Sequence, residues 1–279
     1  MLAVVGDLLE DVVVRIDMPP AIGTDTPATI TRRRGGSAAN VAAAAATAGG
    51  VVRFIGRVGA DALGARLAAD LAAAGVDVRV QRVGRTGSVV VLVGPDGERT
   101  MLPDRAAAVE LGGVDPAWLD GVTWLHVPAY SLLSEPVGSA SQALVAAVRA
   151  GGGSISVDVS SVAAVEAFGP ERFMALLERV GPDVVFANQP ESALVPPGRS
   201  WIRIVKQGPD PVDVDGPGRA PLRIAVPALP GVEDTTGAGD AFAAGYLVAA
   251  IAGRAGDEAV RSGIVAAAKM LAERMAGGG

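Results

Sequence analysis

The residues with the strongest chemical signature lie in the stretch from Asp234 to Phe242. Two glycines flank one alanine in Gly237-Ala238-Gly239, Asp240 follows directly, and the apolar run Ala241–Ala252 predicts a helix that begins here. The first amide groups of a helix have no partner inside it and bind anions such as phosphate. Because the Asp240 carboxylate beside them can accept a proton, the stretch suggests phosphoryl transfer to a hydroxyl group. By itself, it also fits an ordinary glycine-rich turn with a capping aspartate.

A second glycine-rich turn, Gly35-Gly36-Ser37-Ala38-Ala39-Asn40, opens a predicted helix over Ala38–Ala48. Further polar residues are expected just beyond strands or at helix starts, where open parallel sheets bind their ligands. These are Asp11, Asn40, Asn188, Glu191, Asp234 and Asp240. Asp11 and Asn40 could bind hydroxyl groups, and Glu191 could hold a metal ion directly or through water. Each of the three also fits an ordinary turn or helix-start residue, which is the favoured interpretation of each alone.

The elements that must position these residues are strands that alternate with helices along most of the chain. This order predicts an α/β fold, doubly wound, with a mostly parallel central sheet and helices on both faces. Two regions depart from it, Val12–Arg33 and Gly87–Leu102, which read as short, half-polar strands. We expect them to form a small β-sheet that projects from the core as a lid.

Composition excludes several classes of function. The net charge of −6 argues against a nucleic-acid-binding protein, and the absence of cysteine excludes disulfides and thiol catalysis. The longest apolar runs of the chain are too short to span a membrane, and the N-terminus does not read as a signal peptide. A cytoplasmic location is therefore expected. The single histidine, His126, is interpreted as a buried structural residue. Neither a GxxxxGK[ST] loop nor a GxGxxG turn after the first strand is present.

The combination of motifs resembles the ribokinase-like family of sugar and nucleoside kinases, also called PfkB-type carbohydrate kinases. The resemblance covers nearly the whole chain, so we expect one domain over residues 1–279, with a lid from about 12–34 and 86–103. The matching motifs are Asp234-Thr235-Thr236-Gly237-Ala238-Gly239-Asp240, Gly35-Gly36-Ser37-Ala38-Ala39-Asn40, the run from Gly56 to Gly64, Asn188-Gln189-Pro190-Glu191 and Lys206-Gln207-Gly208.

The resemblance implies a role for each of these positions. Asp240 would be the base, and Gly237, Ala238 and Gly239 would offer amide groups to the transferred phosphoryl group. The substrate residues would be Asp11, Gly35, Gly36, Asn40 and Asp234. Asp234 is alternatively expected in a loop for a monovalent cation such as K⁺. The residues on the ATP side would be Asn188, Glu191, Lys206 and Gly208. Glu191 would hold Mg²⁺ through water, and the lid would exclude water from the sugar.

Several departures from the family pattern keep alternatives open. The segment between Asn188 and Lys206 is short and contains Pro196-Pro197-Gly198 where an extra helix is usual. Ser37 and Lys206 stand where some members carry lysine and threonine, respectively, so no motif assigns the cation for the phosphate. Arg105 and Lys206 are candidates, with an ordinary surface charge favoured for each.

Two other functions and one assembly remain open from sequence. A nucleoside kinase would need an apolar or aromatic lining for a base, which Tyr130 and Phe168 could supply. A catalytically silent sugar- or nucleotide-binding protein could share the fold, although the intact Asp240 and Gly237–Gly239 argue against it. A homodimer that pairs through the lids is suggested by the family resemblance.

Overall fold

The computed structural model describes residues 1–232, 234–254 and 256–277. Its α-helices are α1 (Ser37–Thr47), α2 (Ala62–Ala73), α3 (Val137–Ala150), α4 (Val162–Phe168), α5 (Pro170–Val180), α6 (Ala238–Ile251) and α7 (Asp257–Gly277). Its strands are β1 (Leu2–Val5), β2 (Leu9–Arg15), β3 (Thr29–Gly35), β4 (Val52–Val58), β5 (Asp77–Arg82), β6 (Thr86–Val93), β7 (Arg99–Ala106), β8 (Trp124–Pro128), β9 (Ser154–Asp158), β10 (Val184–Asn188), β11 (Ile202–Gln207), β12 (Asp210–Asp215) and β13 (Leu222–Ile224). In the described part of the chain, no helix has the length and apolar character needed to cross a membrane.

The central sheet has nine strands in the order β13-β12-β11-β10-β9-β8-β1-β4-β5. Every neighbouring pair from β11 to β5 is parallel, and β12 and β13 extend the sheet by antiparallel pairing. The chain leaves β1 in one direction for β4 and later returns to its other side at β8. The carboxyl ends of β1 and β8 therefore border a topological switch point, where α/β sheets bind ligands.

Helices cover both faces of this sheet, as the alternation of strands and helices predicted. The small-residue helices α1 and α6, together with α2 and α7, pack on one face around Phe54, Phe186 and Phe242. Helices α3, α4 and α5 cover the other face around Leu125, Ile155 and Phe173. The prediction of a doubly wound α/β fold is confirmed.

A separate four-stranded sheet in the order β3-β2-β6-β7 forms the predicted lid. Its central pair, β2 and β6, is parallel, and the outer pairs are antiparallel. Side chains alternate between its faces, and one face contributes Leu9, Val13, Val89, Val91 and Val93 to a small apolar core. The same face looks over the carboxyl edge of the central sheet.

Some local predictions were wrong in ways that affect the site. Asp11 does not follow a strand but lies inside β2, because that strand begins at Leu9. The short helix α4 was not predicted; the Ser161 hydroxyl caps it by accepting a hydrogen bond from the amide of Ala164. Between β10 and β11, residues 189–201, all of them described, form only a short 3-10 turn at Glu191–Leu194, in keeping with the missing helix inferred from the sequence.

Candidate active site

A cavity of about 760 Å³ lies between the lid and the carboxyl ends of β1, β9, β10 and β11. Its walls include the beginnings of both glycine-rich helices, α1 and α6. The predicted site residues that line it are Asp11, Gly36, Asn40, Asn188, Glu191, Lys206, Gly208, Gly237, Ala238, Gly239 and Asp240. Gly35 and Asp234 lie next to the cavity rather than in its wall. The fold thus brings residues more than 200 positions apart into one site.

Asp240 lies in the first turn of α6 and faces the cavity. Both of its oxygens accept hydrogen bonds from α1: Ser37 Oγ donates to Oδ1 at 2.7 Å, and Asn40 Nδ2 donates to Oδ2 at 3.0 Å. Burial raises the pKa of Asp240 to about 6, and the nearby Asp158 carboxylate adds to this, whereas the Ser37 and Asn40 bonds oppose it. The carboxylate is therefore oriented from two sides and can bind a proton near neutral pH.

The amino end of α6 opens directly onto the cavity. Gly237 precedes the helix with φ 82° and ψ −2°, a left-handed conformation that glycine adopts without strain. The Lys206 side chain approaches this first turn from β11, so that a Cβ atom on Gly239 would lie 3.1 Å from Nζ. The first-turn amide groups, the helix dipole and an ammonium group together make this end of the cavity suited to an anion.

Lys206 is held in place by Asp158 at the end of β9. Its Nζ donates to Asp158 Oδ2 at 2.7 Å, and both side chains are largely buried. Burial lowers the pKa of Lys206, but the carboxylates of Asp158, Glu191 and Asp240 outweigh it and raise the pKa above its usual value. Lys206 is therefore a permanently charged group inside the cavity, and its interpretation as a surface charge was wrong.

The lid side of the cavity combines buried charges with apolar side chains. Asp11 lies against Gly35, where a Cβ atom would come within 1.9 Å of Oδ1, so only glycine leaves room for the carboxylate. Asp7 accepts two hydrogen bonds from Arg105, at 2.6 Å from Nε and 2.8 Å from Nη2. Arg105 is thus also part of the site and not a surface charge. The apolar part of this wall is formed by Leu9, Val89, Met101 and Pro103.

Asn188 and Glu191 form a closed pair at the end of β10. The Asn188 amide N and Nδ2 donate to the two oxygens of Glu191 at 2.8 and 2.9 Å, and the Glu191 amide donates back to Asn188 Oδ1 at 2.9 Å. Burial, followed by the charge of Asp158, raises the pKa of Glu191 to about 7. A cation placed between Asp158 and Glu191 would relieve their repulsion.

The remaining wall of the cavity is apolar and lies beyond Lys206. It is formed by Val212, Val226, Leu229, Ile264 and Leu271. Of the two aromatic residues considered as a lining for a nucleobase, Tyr130 lines the cavity, whereas Phe168 packs against the core on the α3–α5 side.

The single histidine lies outside the cavity wall. His126 is fully buried in β8 with Nδ1 2.9 Å from Ser156 Oγ, and burial lowers its pKa to about 4. It is a neutral core residue, as expected.

The carboxylate of Asp234 is surrounded by the guanidinium groups of three arginines and does not line the cavity. Arg99 Nη2 lies 2.7 Å from Oδ1, and Arg274 Nη1 and Arg33 Nη1 lie 3.2 and 3.7 Å from Oδ2. We call Arg33, Arg99 and Arg274 the arginine cluster. Although burial raises the pKa of Asp234, hydrogen bonds from Thr236 and the charges of Arg274 and Arg99 hold it at about 2. The expected roles of Asp234, in substrate or cation binding, have to be weighed against these ion pairs.

Sequence reasoning missed the partners of the predicted residues. Asp7 and Asp158 follow or end buried strands and pair with Arg105 and Lys206, and Ser37 binds Asp240. A signal was present for both carboxylates, because each lies at the carboxyl end of an apolar strand, as the recognised site residues were expected to do.

Comparison with known proteins finds a carbohydrate kinase family and relatives that are named as sugar kinases. The family model described as pfkB family carbohydrate kinase matches residues 1–197 and 198–278. The chain is 32% identical over 224 residues to a fructokinase of Klebsiella pneumoniae, with 71% of each chain covered. It is 35% identical over 116 residues to a fructokinase of Escherichia coli, a match that spans 38% of that protein's length.

Solved structures share the whole architecture. The adenosine kinase from Sinorhizobium meliloti superposes with a TM-score of 0.84 at 24% identity and covers 95% of this chain and 92% of its own. An Arabidopsis thaliana ribokinase complexed with ribose and ATP gives a TM-score of 0.78 at 24% identity, over 96% and 91% of the two chains. At these identities the similarity establishes the fold.

Proposed function

Since this chain belongs to the pfkB family of carbohydrate kinases and is a phosphotransferase of that family, we propose that it transfers the γ-phosphoryl group of ATP to a hydroxyl group of a small sugar. One observation carries the proposal: an oriented carboxylate, Asp240, lies in the first turn of α6, beside the ammonium group of Lys206. Phosphoryl transfer asks a protein mainly for positioning and charge stabilisation, and this end of the cavity offers both.

The proposed reaction places the acceptor hydroxyl against Asp240. The carboxylate takes the proton as the hydroxyl oxygen attacks phosphorus. Ser37 and Asn40 keep the carboxylate oriented for this proton transfer. The amides of Gly237 and Gly239 and the Lys206 ammonium stabilise the negative charge on the transferred group, whereas the Ala238 amide, expected to share this role, donates to the Thr235 carbonyl oxygen at 3.0 Å. The ADP oxygen leaves on the opposite side of phosphorus, toward Asn188 and Glu191.

The sugar is proposed to bind under the lid. Asp11 offers acceptor oxygens beside Gly36, and Asn40 keeps its side-chain carbonyl oxygen for a hydroxyl while its NH₂ group binds Asp240. The Asp7–Arg105 pair adds a rigid polar surface at the far end. The apolar lid face covers the sugar and keeps out water, which competes with it as acceptor.

The nucleotide is proposed to lie along β11, with its phosphates near Lys206 and Gly208 and its base against the apolar wall. Within residues 1–232, 234–254 and 256–277, no group of three or more acidic, histidine or cysteine side chains forms a potential metal-binding site. This fits Mg²⁺ on a nucleotide, since that ion keeps several waters and needs only one or two protein carboxylates. Glu191 and Asp158 would hold it through water, and the ion would neutralise phosphate charge.

A nucleoside kinase is the second candidate, and one observation favours it. The lid wall of Leu9, Val89, Met101 and Pro103 is apolar, and Tyr130 lies in the same cavity. Such a surface could cover a nucleobase as well as a sugar ring. A binding protein without activity is disfavoured, because a carboxylate that is oriented from two sides beside a helix amino end is the arrangement that proton transfer to a base needs.

The experiment that tests the proposed function is ADP release by the purified protein with MgATP and a panel of sugars and nucleosides. We expect ADP release to depend on one or a few sugars, with fructose and ribose as the first to test. Stimulation by nucleosides alone would favour the second candidate. ATP turnover that no acceptor stimulates, together with tight binding of a sugar or nucleotide, would favour the binding protein.

We also propose that two copies pair through the outer face of the lid. On the face opposite the cavity, aliphatic side chains lie in register across the strands: Val14 pairs with Ile30 and Leu92, and Val90 pairs with Val12 and Leu102. Ile30 and Leu102 are 59% and 57% exposed. An apolar sheet face of this kind on a projecting element is typical of an interface.

Substitution of Leu102 by aspartate should therefore convert a dimer to a monomer, because it places a charge within the proposed apolar contact. Light scattering after size-exclusion chromatography measures the mass. Val83→Asp, at a similarly exposed valine outside the lid, is the matched control and should leave the dimer intact. A wild-type protein that is monomeric at micromolar concentration would refute the pairing.

A further inference from the structure

The expected monovalent-cation loop contains charges of its own. Asp234 was expected to hold such an ion, but its two oxygens are the ones that face the arginine cluster. The Thr236 amide also donates to Asp234 Oδ1 at 2.9 Å. A K⁺ ion in a protein replaces its water with several oxygen ligands, and this carboxylate already makes its contacts with guanidinium groups.

The oxygens of Thr236 are occupied in the same way. Arg274 Nη1 donates to the Thr236 carbonyl oxygen at 2.7 Å, and Arg99 Nη1 donates to Thr236 Oγ1. The carboxylate of Asp234 and the carbonyl and hydroxyl oxygens of Thr236 therefore all face guanidinium groups. The residues present do not fit a monovalent cation, and the charge that such an ion would bring is supplied by the chain.

The turn that these arginines contact directly precedes α6, whose first amide groups form the proposed anion site. It runs from Asp234 to Gly237, and the Ala238 amide closes it by donating to the Thr235 carbonyl oxygen at 3.0 Å. Any shift of the turn moves the first amide groups of α6 and Asp240 with them. Arg274 comes from α7, which packs along α6, so it fastens the turn to the body of the protein. Arg33 and Arg99 come from the lid strands β3 and β7.

We propose that Arg274, with Arg99, takes the place of a bound monovalent cation and positions the turn that precedes α6, so that phosphoryl transfer does not require K⁺. This inference rests on the proposed function for its kinetic consequence. Arg274 is a positioning residue: it touches Asp234 and Thr236, not the reacting atoms. A guanidinium group suits the task because it is always charged and its planar donors can contact a carboxylate and a carbonyl together.

The first test compares wild-type kcat in potassium, sodium and tetramethylammonium chloride at one ionic strength. We expect the same kcat in all three salts. A kcat that rises with K⁺ and saturates, with Na⁺ and tetramethylammonium inactive, would overturn the proposal.

The second test removes the guanidinium group with Arg274→Ala. We expect kcat to fall by about 10- to 100-fold because the anion site is displaced, whereas the KM for the sugar changes little. Added guanidinium or K⁺, at concentrations that do not unfold the protein, should restore part of the rate. Arg261→Ala on the same helix is the matched control, since Arg261 is exposed and pairs only with Asp257 in the described residues. A wild-type kcat in Arg274→Ala, or restoration by neither cation, would contradict the proposal.

Hydrogen exchange separates this inference from the proposed function. The amides of residues 235–239 should exchange faster in Arg274→Ala than in the wild type, and added guanidinium should slow them again. This readout needs no substrate, so it remains valid if no acceptor is phosphorylated. Unchanged exchange in the variant would show that Arg274 does not hold the turn.

Discussion

Asp240→Asn is expected to lower kcat by on the order of 10²- to 10⁴-fold, because the amide cannot take the proton of the acceptor hydroxyl. The substitution keeps the size of the side chain, and an asparagine oxygen can still accept one of the hydrogen bonds from Ser37 and Asn40. Fold and sugar affinity should therefore be preserved. Steady-state ADP formation measures kcat, and calorimetry with the sugar measures binding.

A matched control for this substitution is Asp70→Asn on the outer side of α2, which lies outside the site and is half-exposed. Its kcat should equal that of the wild type. If Asp240→Asn retained wild-type turnover, Asp240 would not be the base. If it lost sugar binding together with turnover, the carboxylate would serve binding rather than proton transfer.

Lys206→Met is expected to have the second-largest effect, a loss of about 10²- to 10³-fold in kcat. Methionine keeps most of the length of the side chain but removes the positive charge beside Gly239, where the transferred group is proposed to lie. The positive charge of Lys206 should matter most in the transition state, in which negative charge is redistributed over the phosphoryl oxygens. We therefore expect kcat to fall more than the affinity for ATP. Lys269→Met, at an exposed position of α7, is the matched control.

Loss of stability must be separated from loss of catalysis in this variant. Removing Lys206 leaves the buried Asp158 carboxylate without its partner and should lower Tm. The double variant Lys206→Met with Asp158→Asn removes that unpaired charge and should recover Tm, yet remain slow. A single Lys206→Met variant that folds and turns over at the wild-type rate would refute the role of the ammonium group.

The fold and the position of Asp240 at a glycine-rich helix start could be predicted from sequence because both depend on local patterns. Alternation of strands and helices gave the doubly wound sheet, and the turn at Gly237 with Asp240 behind it predicted an anion site at a helix start. The lid could be inferred from two half-polar strand regions. These features need only periodicity, turn chemistry and the position of glycine.

The missing parts of the site depend on pairings between distant segments. Arg105 meets Asp7 across 98 residues, and the arginine cluster joins two lid strands to the last helix around Asp234. No local pattern shows which charges meet, so Arg105 and Lys206 were taken for surface charges. One clue was available for Lys206: the chain has only two lysines, and this one follows the apolar pair Ile204-Val205, two residues before Gly208.

The most direct test of the central claim, that Asp240 is the base of a carbohydrate kinase, is the pH dependence of kcat/KM for the sugar. At saturating MgATP, where the ion should keep Glu191 ionised, Asp240 must be deprotonated to accept the hydroxyl proton. With a pKa of about 6, kcat/KM should be constant above that pH and fall about tenfold per pH unit below it. The slow Asp240→Asn variant should lack this fall. A wild-type profile that stays flat through pH 6, or the same fall in the variant, would contradict the assignment of Asp240 as the base.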